Sequence, residues 1–344
     1  SRFAHHARVT GGMAMQVSAS VRAVQVPDEN PMHPDYTSIY VVGKDQVLTI
    51  DSGETLERYQ WMLRGYLAAT ERAEIALAGI THHHMDHSGN LKFIQEAYNA
   101  EVIVPKDAVP LLTGKLPKKR TTFTDEEKVI DLGAGTRVRV MRTPGHSVDS
   151  LCYYIEEEGV LFSGDTILGS STTTVNDLGD YRRSLAKLLE LPNLKVMCPG
   201  HGPLIHDPRE RIQQYITHRT NRERQILSVL GEGGEMTSWD IMMKVYGETI
   251  DKRLRRAAEG NVRSHLSQLE AEGRLKVYEG KPKRPNAAKQ QRDIEHAKYR
   301  DSVKAQAKKF ETEDRRKELR AQENPASAQW SVMPKYELVG SARD

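Results

Sequence analysis

Apolar residues in the first 200 positions gather into short runs separated by polar and turn-forming stretches. Val47–Ile50, Ile75–Ile80, Val138–Met141, Gly159–Phe162 and Leu194–Cys198 are dominated by aliphatic, partly β-branched residues, and each ends at turn formers. Runs of this length predict strands buried on both faces. From Pro208 the period lengthens. Ile212, Tyr215, Ile216, Ile226 and Leu230 are the apolar positions of a long helix over Pro208–Leu230, which Gly231-Glu232-Gly233-Gly234 should stop.

A compact unit follows over Met236–Glu279. Thr237-Ser238 can cap a helix through Tyr246, Asn261 can cap a second bearing Val262, Leu266 and Leu269, and Gly273 can end it before a strand at Arg274–Tyr278. Helix, helix and strand hairpin is the layout of a winged helix. Its second helix offers Arg263, His265 and Gln268 to nucleic acid but also Glu270 and Glu272, so a packing module is the preferred reading of this unit.

The remainder differs in charge. Residues 281–320 hold 14 Lys and Arg against 7 Asp and Glu, whereas the whole chain has a net charge of only +3. The basic excess lies in this tail, whose stretch 286–323 lacks Gly and Pro and favours helix. These patterns predict a flexible start (1–15), a catalytic domain (16–207), a long helix with a winged helix (208–280) and a basic helical or partly disordered tail (281–344). No apolar run approaches the ~20 residues of a spanning helix, so no membrane association is expected. The first 27 residues contain Arg2, Arg8 and Arg22 and no acid, a composition shared by transit segments. An intracellular location follows as the expectation, cytoplasmic or in the mitochondrial matrix. Cys152 and Cys198 lie in apolar runs and read as buried, reduced thiols.

The candidate chemistry sits where the runs end. His82, His84, Asp86 and His87 follow the run ending at Ile80, His146 follows Val138–Met141, Asp165 follows Gly159–Phe162, and His201 follows Leu194–Cys198. Imidazole and carboxylate donors bind zinc at about 2.0–2.2 Å, so ligands remote in sequence must converge in space. Open α/β sheets place their sites at the carboxyl ends of strands. Five imidazoles and two carboxylates are a donor set for two divalent cations, most simply Zn2+. Of the other histidines, His83 alternates away from its neighbours and reads as packing or hydrogen-bonding. His206 and His218 read as surface or supporting residues, and His5, His6, His33, His265 and His296 carry no spacing signal. Thr172–Thr174 can line a pocket or simply reflect strand propensity.

These four motifs resemble those of the metallo-β-lactamase-fold hydrolases. The resemblance implies a four-layer αββα sandwich, with His82, His84 and His146 on one metal, Asp86, His87 and His201 on the other, and Asp165 bridging. It implies that Asp51, after Val47–Ile50, supports the histidine loop. Ser163-Gly164-Asp165-Thr166-Ile167-Leu168-Gly169, Pro199-Gly200-His201-Gly202-Pro203-Leu204-Ile205-His206 and Ala257-Ala258-Glu259-Gly260-Asn261 resemble the β-lactamase-like protein 2 branch over roughly residues 20–280. That branch includes a single-strand endoribonuclease, and its close relatives include fungal thioesterases acting on carrier-bound polyketides. Two positions depart from the pattern: Thr37-Ser38-Ile39-Tyr40 replaces Asn-Thr-Tyr, and Asn90 replaces a glycine.

The expected reaction is hydrolysis by a hydroxide bridging two metals, with Asp86 orienting the attacking water and accepting its proton. Single-stranded RNA is the leading substrate. An acyl thioester, an acyl-carrier protein or a lactone, as in thioesterases of the glyoxalase II type, is the alternative. A non-catalytic nucleic-acid-binding module with a structural metal is a third reading, disfavoured because structural zinc sites are closed and mononuclear.

Overall fold

A computed structural model describes residues 13–27, 35–70, 75–112, 114–124, 128–247, 250–282 and 330–339. The chain divides into two compact units between His218 and Arg219.

In the first unit the strands are β1 (Met13–Gln16), β2 (Val21–Pro27), β3 (Tyr36–Val42), β4 (Val47–Ile50), β5 (Ile75–Gly79), β6 (Glu101–Pro105), β7 (Thr121–Thr124), β8 (Val129–Asp131), β9 (Arg137–Arg142), β10 (Leu151–Ile155), β11 (Val160–Gly164) and β12 (Val196–Pro199). Its helices are α1 (Glu57–Thr70), α2 (Met85–Ser88), α3 (Leu91–Tyr98), α4 (Leu178–Leu189) and the first half of α5 (Pro208–Gly231). Seven strands form one sheet in sequence order, antiparallel from β1 to β4 and parallel from β4 to β7. The second sheet runs β12-β11-β10-β9-β8, with only β11 and β12 parallel.

Alternation along the strands builds the layers. On β3, Tyr40 and Val42 face the second sheet, while Ile39 and Val41 pack with Tyr59 and Leu63 of α1 and with Leu91 and Ile94 of α3. On β10, Leu151, Tyr153 and Ile155 join that inter-sheet core; Cys152 and Tyr154 pack with Tyr181 and Leu185 of α4 and Ile212 of α5. Both faces of each sheet are therefore apolar, as the continuous runs require. The result is the expected αββα sandwich.

Two expectations about its start are corrected. The sheet begins at Met13 rather than at residue 16, because β1 pairs with β2 from Met13 onward. Arg22, counted with the transit-like positives, is buried in β2, where its Nη1 donates to the Gly43 carbonyl at 2.6 Å. Both cysteines are free and buried, and burial raises the Cys152 thiol to about 11.

The second unit contains the rest of α5, β13 (Met236–Thr237), α6 (Ser238–Tyr246), α7 (Arg255–Ala271), β14 (Leu275–Tyr278), β15 (Lys281–Pro282), β16 (Trp330–Val332) and β17 (Lys335–Leu338). Thr237 and Asp240 form a capping box on α6, a device contributing about 1 kcal/mol. Asn261 is not a cap. Helix α7 starts six residues earlier and carries Gly260-Asn261 in its interior, because Ala258, Val262, Leu266 and Leu269 bury one continuous stripe. That burial outweighs the roughly 1 kcal/mol penalty of an internal glycine. The tail expectation also changes. Lys335–Leu338 is the central strand of a three-stranded antiparallel sheet, β13-β17-β14. The winged-helix sheet is thus completed from beyond residue 280. The helical arm expected over 286–323 lies outside the described residues. No described helix is long and apolar enough to cross a membrane.

Candidate metal centre

The seven donors converge at one edge of the sandwich, each delivered by the loop after a strand. β5 leads to His82 and His84, and the single turn α2 presents Asp86 and His87. β9, β11 and β12 lead to His146, Asp165 and His201. Hydrogen bonds tie the two sheets together here. Leu151 N donates to Thr81 O at 2.8 Å and Tyr153 Oη to Ile80 O at 2.7 Å, while Ser38 N donates to Gly200 O at 2.9 Å and Tyr40 Oη to Pro199 O at 2.7 Å.

Two groups of donor atoms result. In the first, His84 Nδ1 lies 2.8 Å from His82 Nε2 and 3.2 Å from His146 Nε2. In the second, Asp86 Oδ2 lies 3.1 Å from His87 Nε2 and 2.9 Å from His201 Nε2, and those two nitrogens are 3.3 Å apart. Asp165 spans both. Its Oδ1 is 3.3 Å from His87 Nε2 and 3.5 Å from His201 Nε2, and its Oδ2 is 3.8 Å from His146 Nε2. Tetrahedral donors at about 2.0–2.1 Å from one ion stand about 3.3 Å apart, the spacing seen here.

The outer hydrogen bonds show which atoms face inward. His146 Nδ1 donates to the Thr174 carbonyl at 2.8 Å, so its Nε2 presents a lone pair. His87 Nδ1 donates to Asp51 Oδ2 at 2.7 Å. His201 Nδ1 meets Thr37 Oγ1 at 3.0 Å, and His82 Nδ1 meets Thr81 Oγ1 at 3.1 Å. Such contacts fix tautomer and ring orientation in metal sites. Asp165 Oδ1 is buried and accepts no hydrogen bond. Ring nitrogens gathered around a buried carboxylate oxygen fit a cation.

Charge separates the groups. Burial, then neighbouring imidazoles, holds His82 well below the ordinary histidine range and brings His84 down to about 4. Burial also lowers His146, against the pull of Asp165. In the second group, burial would raise Asp86 and Asp165, but the histidines around them hold both well below the ordinary range. Burial opposes charge on His87 as well, yet Asp86, Asp51 and Asp165 together raise it well above 6.5.

Supporting residues explain the motif glycines and threonines. A Cβ at Gly200 would stand 2.6 Å from both Asp165 Oδ1 and His87 Cε1, so only glycine lets β12 reach the cluster. Asp51, with φ of 66°, accepts from Thr81 N at 2.6 Å as well as from His87 Nδ1. Thr37, Thr81 and Thr173 orient the rings of His201, His82 and His146, and only Thr81 stands beside a histidine motif in the sequence. Asn90 is tied to Ser52 O and, by a second amide contact, to Glu54 O, and accepts from Gln60. The glycine it replaces is therefore not required here. His206 is exposed and His265 is buried in α7; neither belongs to a donor group. His5, His6, His33 and His296 lie outside the described residues.

Residues 33–201 match the metallo-beta-lactamase superfamily, and residues 237–281 match the beta-lactamase associated winged helix domain. A beta-lactamase-like protein 2 homolog of Caenorhabditis elegans is 34% identical over 266 residues, covering 75% of this chain and 86% of that protein. An atrochrysone carboxyl ACP thioesterase of Aspergillus fumigatus is 34% identical over 222 residues, covering 61% and 65% of the two chains. The crystal structure of a beta-lactamase domain protein from Burkholderia ambifaria superposes with a TM-score of 0.70 at 20% identity, over 78% of this chain and 90% of that one. The chain belongs to the metallo-beta-lactamase superfamily of metal-dependent hydrolases and is related to the beta-lactamase-like protein 2 homologs.

Proposed function

We propose that this enzyme is a dinuclear hydrolase, most simply of two Zn2+, that cleaves phosphodiester bonds in single-stranded RNA. The observation that carries the dinuclear reading is Asp165, whose two oxygens face different donor groups. His82, His84 and His146 would hold one ion; Asp86, His87 and His201 would hold the other. Bound divalent cations supply Lewis acidity that acidifies water and stabilises negative charge on a substrate oxygen. Asp86, whose carboxylate stands between His87 and His201, would orient the water and take its proton. Asp51 keeps His87 aimed inward, and the Thr174 carbonyl does the same for His146.

RNA is supported by the winged helix and by the basic excess in residues 281–320. The expected reading face of α7 does not support it: His265 is buried, Arg263 pairs with Glu259 at 3.0 Å, and Gln268 bonds Glu272 at 2.8 Å. Attraction of RNA therefore falls to the basic segment. A thioester substrate is the second reading, because a relative at 34% identity is named as an ACP thioesterase.

The test is a side-by-side assay of labelled single-stranded RNA and an acyl thioester with metal-loaded wild type and Asp86→Ala. Cleavage of RNA by wild type alone is expected; an intact RNA with a cleaved thioester would transfer the proposal to the second reading. Removing residues 283–329, which spares β16 and β17, should weaken RNA binding and flatten its salt dependence.

A further inference from the structure

The chain between β11 and α4, from Asp165 to Asp177, contains no helix or strand, yet it meets donors of both groups. Asp165 stands at its start. Gly169 N donates to the His201 carbonyl at 3.0 Å, and the Thr174 carbonyl and Thr173 Oγ1 contact His146 Nδ1 at 2.8 and 3.0 Å. A segment without ladder bonds must find other partners for its backbone. Residues 168–171 find them on α5. Tyr215 Oη accepts from Leu168 N at 2.8 Å and donates to the Ser171 carbonyl at 2.7 Å. Arg211 lies one turn earlier, with its guanidinium over the Tyr215 ring. Its Nη2 donates to the Leu168 and Ser171 carbonyls at 3.0 and 2.8 Å. Leu168 and Tyr215 are buried, so losing one of these partners would leave buried polar groups unmet.

The start and end of this loop have supports of their own. Near Asp165, Thr166 N donates to Ser163 O at 3.0 Å and Tyr181 Oη to Thr166 O at 2.6 Å; at the far end, Asn176 N and Asp177 N donate to Gly145 O. In the second donor group, His201 and His87 are held by Thr37 and Asp51. His146 instead takes its outer ring contacts from the middle of the loop, just beyond the segment bound to α5. We propose that Arg211 and Tyr215 are positioning residues for the first donor group: by fixing residues 168–171 they hold Thr173 and Thr174 against His146. This rests on the dinuclear reading above and is independent of the substrate. No chemical step is assigned to either residue.

The experiment combines hydrogen exchange of the metal-free full chain with equilibrium dialysis of Zn2+, for wild type, Tyr215→Phe, Arg211→Ala and Arg211→Lys. Tyr215→Phe keeps the buried ring and removes only the hydroxyl. It and Arg211→Ala should both speed exchange over residues 168–175 by roughly tenfold or more, leaving the β10 amides unchanged. Zn2+ affinity at the first group should fall about tenfold, the lower end of the effect of outer partners in metal sites. In a His84→Ala background, where only the second group fills, the same substitutions should change affinity by less than about twofold. Arg211→Lys keeps the charge but loses the fork, so its affinity should fall between those of wild type and Arg211→Ala. Unchanged affinity at the first group, equal loss at both groups, unchanged exchange over 168–175, or exchange accelerated equally in β10 would each overturn the inference. Wild type holding one ion or none, with the exchange pattern as stated, would instead overturn the dinuclear reading, and the assignment to the first group would fall with it.

Discussion

The two donor groups lie side by side yet are built on opposite electrostatic plans. The first consists of three imidazoles, with Asp165 reaching it only from its edge. Its histidines are held neutral by burial and by one another. The second mixes two imidazoles with two carboxylates, backed by Asp51, and it draws a proton onto His87. A neutral group offers lone pairs but no charge to attract a cation; an anionic group offers both. The second group should therefore be the tighter and the more pH-sensitive of the two, and the first should depend on Asp165 for its charge.

The largest effect that would test this contrast is Asp86→Ala. It removes a donor of the second group together with the carboxylate assigned to the water, and kcat should fall by about 1,000-fold or more with the far-UV spectrum unchanged. A variant within tenfold of wild type would show that the second group is not where the reaction is organised. Next is Asp51→Ala, which leaves His87 without its acceptor. Metal affinity at the second group should drop by about 10–100-fold, the usual effect of removing such a supporting partner, while the first group is little changed. Equilibrium dialysis resolves the two.

Proton release sharpens the contrast further. Near pH 7 the metal-free second group keeps a proton on His87, and a cation must displace it; the first group has none to lose. Calorimetric titration in buffers of different ionisation enthalpy should show about one proton released on filling the second group and about none on filling the first. Equal release from both would contradict the electrostatic contrast.

The smallest effect concerns stability without metal. His84 falls from 6.5 to about 4 in the folded protein, so protonation favours the unfolded chain. Its contribution is intact above about pH 6.5 and is lost as pH falls from there through 4. Asp86 and Asp165, lowered in the fold, lose theirs only below the ordinary carboxylate range, whereas His87, raised in the fold, contributes below 6.5 and loses that contribution as pH rises through its folded value. Thermal melts of chelated protein should thus show a lower Tm at pH 5 than at pH 7 if the three neutral histidines outweigh His87. That dependence should reverse in His84→Ala if His84 dominates; a wild-type Tm rising toward pH 5 would give His87 the larger share.

What could be read in advance follows the distance over which the physics acts. Strand runs such as Val47–Ile50 coincide with β4, because burial on both faces leaves a continuous apolar record. The seven donors were legible because each follows such a run. Their orienting partners were not: Thr37 reaches His201 across 164 positions, and nothing in a lone threonine announces that. The winged helix repeats the lesson. Its helices are locally encoded, but Asn261 is carried inside α7 by tertiary burial, and the central strand of its sheet arrives from Lys335–Leu338. A four-residue strand beyond a long charged segment has no periodic signal of its own.

The central claim is that Asp165 joins two groups into one dinuclear centre, and the direct measurement is elemental analysis of purified, folded full-length protein. Wild type should carry two divalent cations per chain and His84→Ala, which removes only a first-group donor, about one. One cation or none in the wild type, under conditions of metal excess, would contradict the account.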